Sequence, residues 1–382
     1  MREEIERVLD GWNAHEISVG APPVIDYDCR PATVAVGEVN GRVDVYQRLE
    51  RLRADAPDEL ARRIDCHLAY VGALLGERQG LDEFVQRTQG CRVIGWNDEY
   101  VAWRCAEARK AVEGLGIGWG PDTRRDLLDS EHNLTADEVP DALRAAAARF
   151  EPLVRKATGT TAAYNLTVET ANVDAYWSYW LDGAGENARL RLNMRNAGFT
   201  DVQARQFALH EILGHALQSA SYSARCRTED VPWVRILCVH ADHQVLLEGL
   251  AQTLPLFVAP DDEALVAHVK LDHYLQLVRA EMHVAINSGR SVADCLSQAK
   301  DRVPFWTDEA IGRMLADRGT DPLLRSYQWA YPAGVDWFAN LAESADGHTI
   351  ATVLEAAYRS PLTPRDLHEL WPAGPPVGGM PR

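Results

Sequence analysis

Apolar residues recur at three- and four-residue intervals along most of the chain, and the places where that period fails locate its sheet. "VDVYQRLERLRADAPDELARRIDCHLAYVGALLGE" and "VPDALRAAAARFEPLVRKA" carry the helical period through residues 1 to about 150, interrupted by short Gly, Pro and Asp turns. "WGPDTRRD", at 119–126, reads as a loop. From about 160 the texture changes. "AYNLTVET" and "DAYWSYWL" are rich in aromatic and β-branched residues, and "DGAGEN" separates the second from the alternating "ARLRLNMR". This pattern predicts a β-hairpin over about 172–195. Thr200 and Gln203 then stand in the relation of a capping box, so a helix is expected from about 201 to 220. The helical period returns over 233–257, 261–287, 291–300, 307–317 and 323–343, and "WPAGPPVGGMPR" reads as a frayed tail.

The expected fold is therefore mainly α with a small antiparallel β-sheet, an α+β chain with a helical N-terminal region (1–150) and a second region (151–382) that holds the hairpin. No repeat or low-complexity tract is visible. The opening "MREEIERVLDGWNAHE" lacks the apolar stretch of a signal peptide. The apolar run "VLLEGLAQTLPLFVA" carries a charge and a proline and is too short to span a bilayer, so a soluble, cytoplasmic protein is expected. Seven scattered cysteines without a C-x-x-C pair suit reduced, buried thiols, and the sequons at Asn133 and Asn165 then carry no meaning. A formal net charge of −17 argues against nucleic acid or an anionic membrane as partner.

The chemistry concentrates in "FALHEILGHALQ", residues 207–218. Zinc-protease helices carry H-E-x-x-H, with both histidines on one face and the glutamate as general base. Here His210 and His215 are five apart. At roughly 100° per residue that spacing separates the rings by about 140° in a regular α-helix, too far to share an ion. A π-bulge at 211–214 gives i to i+5 the relation that i to i+4 normally has, and Gly214 supplies the backbone freedom for it. Glu211 then lies beside the ion.

A catalytic zinc site needs a third ligand and an open position. Glu248, 33 residues beyond His215 in "HADHQVLLEGLAQTLP", is the best candidate, on the helix expected from 233. His240 and His243, on the same helix, compete for the role, and His240 and Gln244, eight and four residues before Glu248, share its face. Otherwise both histidines read as satisfied core or surface residues, as do the remaining ones.

These residues resemble two groups of glutamate-liganded zinc metallopeptidases, the gluzincins. "HEILGH" is similar to the HExxGH motif of the dipeptidyl-peptidase III family, although the E-E-x-R-A-[ED] stretch of that family is absent. "GHALQ", "LLEGLAQ", "QWAYPAG" and "SPLTPRDL" resemble, in order, elements of the helical zinc proteins of the DUF885 family, whose HE and GH elements lie one residue further apart. The resemblance implies a zincin-like helical metallopeptidase fold, metal ligands His210, His215 and Glu248, a base Glu211, and Tyr331 as a hydrogen-bond donor to a developing oxyanion. Tyr327 reads as an ordinary core residue. If the hairpin is an edge to which peptides add as a strand, Asn193 and Arg195 face substrate; taken singly, each reads as facing solvent.

The expected function is zinc-dependent hydrolysis of an amide bond in a short peptide or peptide-like small molecule. Two alternatives stand beside it: a zinc enzyme of specialised metabolism acting on one metabolite without proteolysis, and a zinc-stabilised binding protein that has lost catalysis.

Overall fold

The computed structural model describes residues 1–382 apart from 32–36, 175–178, 196–197 and 381–382. Helices Arg2–Ser18, Arg42–Ala54, Asp58–Leu74, Leu81–Gln89, Asp98–Gly114, Thr123–Ser130 and Val139–Thr158 occupy the first part of the chain, where the apolar period places them. Their ends follow capping chemistry. Asn97 accepts from the Tyr100 amide at 2.8 Å, and the helix Val139–Thr158 stops on Gly159 at φ 69, a left-handed position that glycine adopts without strain. Only part of the expected 119–126 loop is one: the Thr123 hydroxyl accepts from the Gly120 amide at 2.7 Å, and that turn starts a helix.

The sheet has five strands, β1 (Ile25–Asp28), β2 (Asn165–Ala171), β3 (Tyr179–Ala184), β4 (Asn187–Asn193) and β5 (Ile236–Cys238), in the order β2-β4-β3-β1-β5. β3 and β4 form the expected antiparallel hairpin, turning at Gly185 with φ 62; the stretch 175–178 of the expected hairpin lies outside the described residues. The sheet is mixed, not antiparallel throughout. β4 inserts between β2 and β3 and runs parallel to β2, while β1 arrives from the N-terminal helices to pair parallel with β3 and antiparallel with β5. Flanked on both sides, β4 is no edge. Asn193 at its end is fully buried and bonded to the Val173 backbone, so it faces neither substrate nor solvent, while Arg195 is exposed and pairs with Asp174 at 3.5 Å.

The helix expected over 233–257 is Gln244–Val258. Its first eleven positions instead form β5 and a turn, because Val234, Ile236 and Cys238 bury themselves in a core built with Ile5, Leu9, Trp12, Leu49, Ile64 and Val71. The segment expected over 323–343 breaks into Leu324–Tyr327 and Ala330–Ser344, whereas Glu263–Asn287, Val292–Arg302 and Asp308–Thr320 fall where the period puts them. The expected frayed tail is pinned through Met380. Gly378 carbonyl oxygen accepts from the Ile94 and Gly95 amides, and the Met380 amide donates to Gly95 at 3.0 Å. All seven cysteines are unpaired, and all but Cys105 are buried. Among the described residues no helix is long and apolar enough to cross a membrane.

Two close backbone approaches position the site. A Cβ on Gly214 would stand 2.7 Å from Ala251 Cβ, and one on Gly249 would stand 2.5 Å from Gly334 Cα. The helix Gln244–Val258 is thereby in backbone contact with the helix carrying His210 and His215 on one side, and with Ala330–Ser344 on the other.

Candidate metal centre

The capping box at Thr200 and Gln203 forms as expected and opens a short α-helix, Asp201–Phe207. Over Ala208–Ala216 the helix is π, wider than the single bulge expected at 211–214, before α geometry resumes at Leu217–Thr228. Tyr358 hydroxyl donates to the Leu213 carbonyl at 2.7 Å and satisfies a backbone group in this distorted stretch. The consequence is convergence. His210 Nε2 and His215 Nε2 lie 3.1 Å apart, with the rings nearly perpendicular at 88°.

Glu248 arrives from the next helix to complete the group. Its Oε2 lies 3.4 Å from His210 Nε2 and 3.8 Å from His215 Nε2, and it has no hydrogen-bond partner although it is buried. Its Oε1 accepts from Tyr327 hydroxyl at 2.5 Å, and Tyr327 in turn lies 2.8 Å from the Tyr331 hydroxyl. A buried carboxylate oxygen left without a donor is costly unless a cation or proton meets it. Two imidazole nitrogens and that oxygen, with Glu211 Oε1 3.7 Å from His210 Nε2, form a two-histidine, one-glutamate donor set with a spare carboxylate beside it.

Electrostatics distinguish the two glutamates. Burial pushes the Glu211 carboxyl up to about 7; His210 opposes the shift and Glu248 adds to it. Burial also disfavours the charge of Glu248, but His215 and His210 overcome it and hold that carboxyl well below the usual range. Burial, then the charge of Glu248, pushes the Tyr327 and Tyr331 hydroxyls well above the ordinary tyrosine value, so both remain donors.

The group opens on a cavity of about 750 Å³, whose wall includes His210, Glu211, His215, Glu248, Tyr327 and Tyr331. A second group of metal-ligand type, His67, Cys238 and His240, is fully buried and lines no part of this cavity. His67 Nδ1 and His240 Nε2 meet at 2.8 Å, the distance of a hydrogen bond, and burial first of all lowers the pKa of both rings. His240 stacks on Tyr70 with ring centroids 4.4 Å apart, and His243 Nδ1 lies 3.2 Å from Arg63. Both expected competitors of Glu248 thus lie in the turn before its helix and contact other partners. Gln244 does reach the cavity, but its amide donates to Asp26 at 3.4 Å and to Cys238 carbonyl at 3.1 Å, not to Glu248.

Sequence reasoning brings together His210, Glu211, His215, Glu248 and Tyr331. It misjudges Tyr327, which contacts Glu248 directly, and misses Asp26. The signal for Tyr327 was available, since a tyrosine four residues before Tyr331 falls on the same helical face.

No protein-family model and no curated protein matches the sequence. Among solved structures, a protein described as a lipoprotein from Colwellia psychrerythraea superposes with a TM-score of 0.57 at 13% identity; the match covers 85% of this chain, and the chain spans 60% of the length of that protein. That likeness is one of fold. An M32 carboxypeptidase from Deinococcus radiodurans R1 matches at a TM-score of 0.38 and 13% identity, over 85% of this chain and 70% of that one.

Proposed function

We propose that the protein is a zinc-dependent hydrolase that cleaves an amide bond in a short peptide or peptide-like molecule, with His210, His215 and Glu248 as ligands and Glu211 as general base. The observation that carries this reading is the partnerless, buried Glu248 Oε2 facing two imidazole nitrogens, with a second carboxylate alongside. A zinc ion held by these three side chains supplies Lewis-acid polarisation of a carbonyl and makes water more acidic.

The remaining chemistry belongs to the chain. Glu211, a buried carboxylate with Oε1 3.7 Å from His210 Nε2, is placed to accept a proton from water and give it to a leaving amine. Tyr327 holds Oε1 of Glu248 and leaves Oε2 directed at the histidines. Tyr331, a donor on the cavity wall, is placed to hydrogen-bond an oxygen that gains negative charge. The cavity volume suits a small molecule or short peptide segment. The non-proteolytic alternative shares every one of these features. A purely structural zinc site normally closes with four protein ligands and has no role for the adjacent Glu211.

The test is Glu211→Gln, which keeps the side chain's size but cannot take up a proton. We expect about one zinc per chain in parent and variant alike, and a fall in turnover of about 100-fold or more on any substrate selected from an unbiased peptide-library digest. A variant as fast as the parent rejects the general base. A zinc-loaded parent that cleaves no peptide rejects the peptidase reading and leaves the metabolite-specific one.

A further inference from the structure

We propose that the cavity beside the metal centre is a subsite for a protonated amine, held by Asp26, so that its ligand is an ammonium group on an apolar or aromatic frame. That this ligand is also the amide cleaved rests on the hydrolase reading above; the binding itself does not.

The strand pairing singles out Asp26. Ile25 faces Cys238 and Tyr27 faces Leu237, so β1 advances two residues while β5 advances one, and Asp26 is the extra residue of a β-bulge. Bulges of this kind re-aim a side chain and are enriched beside active sites. Here the bulge turns a carboxylate into the wall of the cavity. One of its oxygens accepts from Gln244 at a long 3.4 Å; among the described residues the other has no hydrogen-bond or ion-pair partner.

The surroundings make that carboxylate a poor resident on its own. Burial, reinforced by the charges of Glu248 and Asp182, pushes Asp26 well above the usual range. Among the described residues no lysine or arginine lines the cavity, and its charged wall residues besides the histidines are Asp26, Glu211, Glu248 and Asp321. Asp321 is already engaged, accepting from the Leu323 and Leu324 amides. An entering ammonium offsets the burial of Asp26, whereas a carboxylate or phosphate placed against Asp26 meets like charge. The cavity also supplies the rings of Tyr27, Tyr70 and Trp180, and Pro22, Leu237 and Val239 among its apolar wall. Aromatic faces attract cations as well as apolar groups.

Register on the helix gives the scale. Gln244 precedes Glu248 by four residues, so the Asp26 contact lies about 6 Å along the helix from the metal ligands.

The experiment is binding without turnover. Zinc-loaded Glu211→Gln protein is titrated calorimetrically with phenethylamine and its neutral isostere 2-phenylethanol. We expect the amine to bind about 10- to 100-fold more tightly than the neutral compound, the range of a charge-assisted hydrogen bond. Asp26→Asn should remove the preference with zinc content unchanged. Asp26→Leu, which no longer buries a polar group there, is the second variant, and a melting curve confirms that each is folded. Equal binding of amine and alcohol, or a preference that survives in either folded variant, overturns the proposal. Because zinc content and peptide turnover are read separately, failure of the hydrolase reading leaves this result standing or falling by itself.

Discussion

Gly214→Ala tests whether a helix contact, as well as the ligands, makes the site. The added Cβ would stand 2.7 Å from Ala251 Cβ, 2.9 Å from Leu209 carbonyl oxygen and 3.0 Å from Ala251 Cα. Carbon atoms rest at about 3.5–4.0 Å, so the two helices must part by roughly 1 Å. Two of the three obstructing atoms are backbone, and a rotamer change cannot relieve them. Overpacking on this scale costs about 1–3 kcal/mol. Ala251 lies three residues beyond Glu248 on the same helix, so the displacement passes to a carboxylate now 3.4 Å from His210 Nε2. Metal sites tolerate about 0.2 Å of ligand displacement, and the expected loss of zinc affinity is about 10- to 100-fold, as for changes to groups that orient ligands. Competition against a chromophoric chelator reads the affinity, and calorimetric melting with and without zinc reads the stability. Gly312→Ala is the control: it sits in the helix Asp308–Thr320 with open space around it and should stabilise by about 0.5–1 kcal/mol. If Gly214→Ala melts and binds zinc like the parent, the contact does not position Glu248 and the reasoning fails.

Three further outcomes are expected. Glu248→Ala should lose most of its zinc by metal analysis, and unchanged content would remove Glu248 from the ligand set. Tyr327→Phe leaves Oε1 of Glu248 without its donor and should cost about 1–3 kcal/mol in chemical denaturation, while Tyr331→Phe, which spares that bond, should cost less; the reverse order would refute the assignment of Tyr327 as the residue that positions Glu248. In metal-free protein Glu211 titrates at about 7 when folded against 4.5 when unfolded, so the folded state binds the extra proton between those values and stability falls as pH rises from about 4.5 to 7. The fall amounts to about 3 kcal/mol, and Glu211→Gln should lack it; parallel stability profiles for the two proteins would sink the burial argument.

How much of this was legible in the sequence depends on the range over which each signal acts. The helix that carries His210 and His215 was legible because its signals all lie between residues 200 and 215: the capping box, the apolar positions, two histidines at a spacing that only a widened helix reconciles, and a glycine between them. β1 and β5 were missed for the opposite reason. They are four and three residues long, too short to show a period, and they exist because they pair with one another across some two hundred residues of chain. Missing β5 extended the Glu248 helix back through His240 and His243 and placed His240 on the face of Glu248. Missing β1 hid Asp26, since a bulge can be seen only once its partner strand is known. The tail was misread likewise, because its contacts with Ile94 and Gly95 leave no local pattern.

The motifs themselves make physical sense once the contacts are known. In "LGHALQ", "LLEGLAQ" and "QWAYPAG" a glycine stands next to, or within one turn of, the functional side chain: Gly214 before His215, Gly249 after Glu248, Gly334 three residues after Tyr331. Helices packed through ordinary side chains keep their axes about 8–10 Å apart. A carboxylate on one helix must reach two imidazoles on its neighbour and a tyrosine hydroxyl on a third element, and at that separation its short side chain would bridge at best one of them. The glycines remove the intervening Cβ atoms, and the backbones close to contact at Gly214–Ala251 and Gly249–Gly334. The π segment solves the complementary problem within a single helix, bringing residues five apart from about 140° of separation to about 40°. Ala208, Leu209, Ile212, Leu213 and Ala216 remain buried around it, so the widened helix sacrifices none of its core face. The five-residue spacing and the three glycines are therefore one device, in which backbone geometry does what longer side chains do elsewhere.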